Sequence, residues 1–267
     1  MLLPSRFLFK LNNFLAQWSS SSKKNILRAV DSCVLTLTAI SYLCTNLRSN
    51  NSITLENYLM VIFIIILTCI ISIMAFNNSS IVSKYQFSAY RIVHHKEWYR
   101  ILSHALLHGS WMHLIVNMLV LYSFGGFLIM AFGQFFTFMN PHLLFLFFYV
   151  FATAIASLYS LRKHRNNYYY SALGASGAVS AVVFASIFFA PYQPILFFAV
   201  IPMPGILFGA GYLWYSYYMS KRGDDNIGHD AHFYGAVFGF LFPIILDPQL
   251  IIYFVNQIGR ASCRERV

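Results

Sequence analysis

Apolar residues in this chain collect into long runs that end abruptly at proline or charge. The first run, Leu59 to Phe76, is interrupted only by Thr68, Cys69 and Ser72. Others extend from about Trp111 to Phe132, from His142 to Leu161, from Ala172 to Ala190, from Pro202-Met203-Pro204 to Tyr218, and from His229 to Leu246. A helix that crosses a bilayer needs about 20 largely apolar residues, so the pattern predicts six membrane helices in an all-α bundle. Arg162, Lys163 and Arg165 close the third run, Pro191 and Pro194 the fourth, Lys221 and Arg222 the fifth, and Asp247-Pro248 the sixth. Proline suits such edges because it cannot continue a helix.

Between the first two runs lies a long connection, from Asn77 to about Ser103. It mixes Lys84, Arg91, Lys96 and Arg100 with Phe87, Tyr90, Trp98 and Tyr99. That mixture fits a membrane interface, where rings are buried while charges reach water. Residues 1–56 form an extension of different character, with the polar run Ser19-Ser20-Ser21-Ser22-Lys23-Lys24 and an apolar patch, Ala29 to Cys44, that holds Asp31. The patch is read as at most one weak extra span, and no signal-peptide cleavage site follows it. Residues 256–267 are expected to form a polar tail without an element of their own.

Composition sharpens this picture. Charged residues make up 10% of the chain and hydrophobic ones 58%, against roughly 25% charged in soluble domains. The net charge of +10 resides in short loops and termini, which points to lipid headgroups and helix orientation rather than to nucleic acid. Cys33, Cys44, Cys69 and Cys263 show no metal-ligand spacing, and no disulfide framework is expected. The loops after the first, third and fifth runs carry nearly all the inter-helix Lys and Arg, which by the positive-inside tendency face the cytoplasm.

Polar and ionisable groups at membrane depth are costly, so each is a candidate for function. Gly174-Ala175-Ser176-Gly177-Ala178 opens the fourth helix with a serine flanked by small residues, a nucleophile beside backbone N–H groups able to hold an oxyanion. The same residues also make a packing face, with Gly177, Ala181 and Ala185 in register. Gly228-His229-Asp230-Ala231-His232 opens the sixth helix, and His232, Gly235 and Gly239 share one face. Its histidine reads either as a helix-start cap or as a base. If the glycine face meets the small face of the fourth helix, His232 reaches Ser176 and can take its proton. His113 and Asn117, four residues apart on the second helix, could donate to an oxyanion. The competing reading is a metal site with His104 and His108, although no carboxylate accompanies those histidines. No acid occupies an obvious triad position, so the chemistry reads as a Ser–His dyad.

These residues resemble the rhomboid family of intramembrane serine proteases. The resemblance covers roughly residues 57–255 and rests on Trp98-Tyr99-Arg100, on His104-Ala105-Leu106-Leu107-His108 with His113 and Asn117, on Gly174-Ala175-Ser176-Gly177, and on Ala231-His232 with Gly235. It implies a six-helix bundle with a water-accessible cavity, Ser176 as nucleophile, His232 as base, and His113 with Asn117 as oxyanion partners. Gly174, Gly177, Gly235 and Gly239 would be packing positions, and Trp98 and Arg100 members of a membrane-embedded loop. It further implies single-pass membrane protein substrates, no cofactor, residence in a bacterial inner membrane, and a lateral gate at the helix that follows Pro202-Met203-Pro204-Gly205. The family's best-known layout puts the basic loops outside, opposite to the charge rule. Relatives that lack catalysis and bind membrane helices form the alternative, and a transporter is a third class, without the inverted repeat expected of one. One departure stands out. Some family members carry a tyrosine one turn after the serine that packs on the histidine. Ser180 occupies that position here, so Tyr234 or an aromatic from a neighbouring helix is expected to hold His232.

Overall fold

The computed structural model describes residues 55–197, 201–222 and 228–264; the apolar patch Ala29–Cys44 and nearly all of the 1–56 extension lie outside them. After a 3-10 turn at Leu55–Tyr58 come α1 (Leu59–Phe76), the short helices α2 (Ser79–Tyr85), α3 (Ala89–His95) and α4 (Arg100–Ser103), and a second 3-10 turn at His104–Leu106. Then follow α5 (Trp111–Phe135), α6 (Pro141–Lys163) and α7 (Ser176–Phe189). A two-stranded antiparallel hairpin, β1 (Pro194–Phe197) and β2 (Ile201–Pro204), precedes α8 (Gly205–Arg222), α9 (His229–Leu246) and α10 (Leu250–Arg264).

Among the described residues, four helical segments are long and apolar enough to cross a membrane: Glu56–Phe76, Trp111–Phe135, Pro141–Lys163 and His229–Leu246. The chain is an integral membrane protein. Its α1 shows how such a helix packs without a hydrophobic drive: Leu59, Phe63, Ile66, Ile70 and Ile73 face outward, while Thr68, Ser72 and Ala75 face the protein. Local capping sets the ends. Ser110 accepts a hydrogen bond from the His113 N–H at the start of α5, and Asn140 caps α6 ahead of Pro141.

The bundle is organised around α7. All of its residues except Ser176 are buried, and α9 packs against it most extensively. With 14 residues it rises only about 21 Å, short of the roughly 30 Å hydrocarbon core. The predicted fourth span begins at Ala172, but the helix begins at Ser176. Phe87 and Ala172 pair as an antiparallel bridge, and Gly174 takes φ +122°, so residues 172–174 stay out of the helix and approach it as non-helical backbone. The proline-rich stretch before the fifth helix forms the β hairpin. Nor does the chain stop being helical at the polar tail expected from residue 256. There α10 continues to Arg264, with the Tyr253 hydroxyl donating to Phe189 O (3.1 Å) and the Phe254 ring stacked on Phe188 (5.2 Å) beneath the end of α7.

Candidate active site

Small residues bring α7 and α9 into backbone contact. A Cβ at Gly235 would overlap the Gly177 carbonyl, and one at Gly239 would overlap the Ala181 carbonyl. On the other side of Gly177, the methyl of Ala156 on α6 lies 2.7 Å from where a side chain would begin. That closeness puts Ser176, at the first position of α7, within reach of His232, in the first turn of α9. Their Oγ and Nε2 atoms are 2.7 Å apart, the separation of a strong hydrogen bond.

Above this pair opens a cavity of about 420 Å³ lined by Ser110, His113, Asn117, Ser157, Ser176 and His232 among others. The His113 ring presents its Cε1–Nε2 edge to Gly174, with Cε1 2.6 Å from the place of a Cβ, which together with the positive φ requires glycine there. Asn117 is buried and donates through Nδ2 to His113 O (2.8 Å), keeping a second amide hydrogen. No side chain caps the start of α7, so the first-turn N–H groups, which lack partners within the helix, remain as donors at the serine.

The backbone before Ser176 is fastened by the α1–α5 connection. Phe87 pairs with Ala172, and His104 O accepts from Gly174 N–H (3.0 Å). The Ala175 N–H then donates to His108 Nε2 (3.5 Å), leaving the proton on Nδ1 for Ser72 Oγ (3.0 Å), whose hydroxyl donates to Leu106 O (2.8 Å). This relay from α1 to the serine turn fixes the His108 tautomer. His104 donates from Nδ1 to Arg100 O (3.0 Å) and directs Nε2 toward Ser157 (3.4 Å). With their nitrogens engaged by protein groups, His104 and His108 do not converge with His113 on a point where a metal could sit. Burial holds the His104 ring down at a pKa of about 4. Burial, with the His113 ring nearby, holds His108 at about 3.

Other expectations need correction. Arg100 was expected to reach water, yet it is 1% exposed. Its guanidinium donates to Ser83 O (2.9 Å), Gln86 O (2.8 Å) and the Glu97 carboxylate, closing the loop on itself. Trp98 lies on the outer face of the loop, 53% exposed. Tyr234 does not hold His232, because it stacks on Tyr159 of α6 (4.8 Å). Instead Tyr212 of α8 lies beside His232, with ring centroids 6.4 Å apart and planes 23° apart. The serine at position 180 points to an aromatic from a neighbouring helix, and nothing in the sequence singles out Tyr212 among them. Asp230, two residues before His232, pairs with Lys163 (2.8 Å).

A family model for the Rhomboid domain matches residues 95–249, more than half of the chain, including Ser176, His232, His113 and Asn117. No curated protein matches the chain.

Proposed function

From the chain's membership of the rhomboid family, we propose that it is an intramembrane serine endopeptidase with Ser176 as nucleophile and His232 as base. The observation that carries this reading is the 2.7 Å contact between Ser176 Oγ and His232 Nε2 at the floor of a cavity within a membrane bundle.

In this reading His232 Nε2 takes the hydroxyl proton as Oγ bonds to the scissile carbonyl carbon. The carbonyl oxygen becomes an oxyanion, met by first-turn N–H groups of α7, the Asn117 amide and the His113 ring. When the tetrahedral centre collapses, the C–N bond breaks and His232 gives its proton to the departing amine. Water from the cavity then loses a proton to His232 and attacks the ester. The acid product leaves and the serine regains its hydrogen. Two groups suffice because helix packing, rather than a carboxylate, orients the imidazole; Asp230 is occupied by Lys163.

Substrates are membrane proteins whose single helix unwinds enough to present an extended backbone, since a helix hides the carbonyl that must be attacked. Entry past α8 fits its loose packing, with only five of its 18 residues buried. The alternative is a rhomboid-family protein that binds membrane helices without cutting them. A serine-directed fluorophosphonate separates the two. Labelling mapped to Ser176 and absent in Ser176→Ala supports the protease, whereas an unlabelled wild type favours the binder.

A further inference from the structure

We propose that Tyr212 is a positioning residue for His232, locked by Ser180, so that the place of α8 governs the orientation of the base. This rests on the protease reading above.

The dyad has no acid of its own, yet an imidazole serves as a base only while its Nε2 points at the serine. Besides α7, which carries Ser176, three elements border the ring. Its own helix α9 contributes His229, 5.9 Å away and nearly perpendicular. From α5 comes His113, and α8 supplies Tyr212, close to parallel. Tyr212 is the member of this set that is tied back to the nucleophile's helix. Its hydroxyl lies 2.7 Å from Ser180 Oγ, and Ser180 stands one turn after Ser176 on α7, 5% exposed. Phe184 (5.7 Å) and Phe208 (6.0 Å) flank the phenol ring. The result is a closed circuit from Ser176 through His232 and Tyr212 to Ser180, beginning and ending on α7.

Three residues before Tyr212, a Cβ at Gly209 would meet Ile187 and Phe184 at ordinary contact distance, so α8 packs against α7 side chains at this point. Elsewhere α8 exposes Leu207, Trp214, Tyr217 and Tyr218. A displacement of α8 away from α7 would break the Ser180 bond and take the ring off His232 in one movement. An enzyme built this way has an oriented base only when α8 is seated.

The test uses the full-length protein in detergent micelles, with fluorophosphonate labelling rates measured across pH. Tyr212→Leu removes the ring and is expected to slow labelling about ten- to a hundred-fold, the scale of a misplaced catalytic group, and to displace the pH midpoint of the reaction. Tyr212→Phe and Ser180→Ala remove the same hydrogen bond from opposite sides. Each is expected to slow labelling roughly two- to ten-fold, and the double variant no further than either alone. Wild-type rates and an unchanged midpoint in Tyr212→Leu would overturn the assignment. So would a slowed rate with an unmoved midpoint, which marks a purely structural residue. If the wild type itself is not labelled at Ser176, the protease reading falls and takes this inference with it; labelled wild type with an indifferent Tyr212→Leu removes the inference alone.

Discussion

The carbonyl of Gly177 on α7 occupies the space where a side chain at Gly235 on α9 would begin. That approach of two backbones brings Ser176 and His232 to 2.7 Å. A Cβ at position 235 or 239 meets backbone rather than a yielding side chain, so the helices must move apart. Gly235→Ala and Gly239→Ala are therefore expected to destabilise the protein by about 1–3 kcal/mol and to abolish labelling of Ser176. Gly211 has open space around its missing side chain, and Gly211→Ala is expected to leave labelling intact while matching or raising the unfolding midpoint.

Arg100 is expected to matter through folding. Its removal leaves the Ser83 and Gln86 carbonyls and the Glu97 carboxylate without their shared donor. Arg100→Ala should cost on the order of 3 kcal/mol in an unfolding measurement. Arg100→Lys should recover only part of it, because an ammonium cannot serve three acceptors in that planar arrangement.

Acid should loosen the serine turn. His104 and His108 are held near 4 and 3 by burial, below the ordinary 6.5, so between these values the unfolded chain binds protons that the folded chain refuses. Stability is then complete above about pH 6.5 and declines as pH falls toward 4, by a few kcal/mol at most. Unfolding midpoints at pH 8, 6 and 5 check the slope. His108→Asn is expected to flatten it while lowering stability at every pH, because the Ala175–His108–Ser72 relay is broken.

The long helices are legible in the sequence because their ends coincide with changes in composition. Leu59–Phe76 stops where Asn77 and Asn78 begin, and His229–Leu246 stops at Asp247-Pro248. The start of α7 is not legible in this way. Ala172 and Leu173 continue the apolar run, and long-range contacts with Phe87, His104 and His108, with the backbone at Gly174, hold the helix back to Ser176. The four-residue spacing of small residues on α7 and α9 foreshadows the contact that joins Ser176 to His232. The roles of Arg100, His108 and Tyr212 depend on partners 14 to 67 positions away, and no local pattern carries such partners.

Asp230 discriminates a dyad from a triad. Its carboxylate contacts Lys163, an exposed pair worth about 0–1 kcal/mol. Asp230→Asn is expected to label at Ser176 within about two-fold of wild type. A loss comparable to that of His232→Ala would make the acid a member of the catalytic set.

The most direct measurement is cleavage of a tagged single-helix membrane protein by the purified chain in liposomes. Wild type should release two fragments, and both Ser176→Ala and His232→Ala should release none while folding normally. Fragments that persist in either variant would contradict the account.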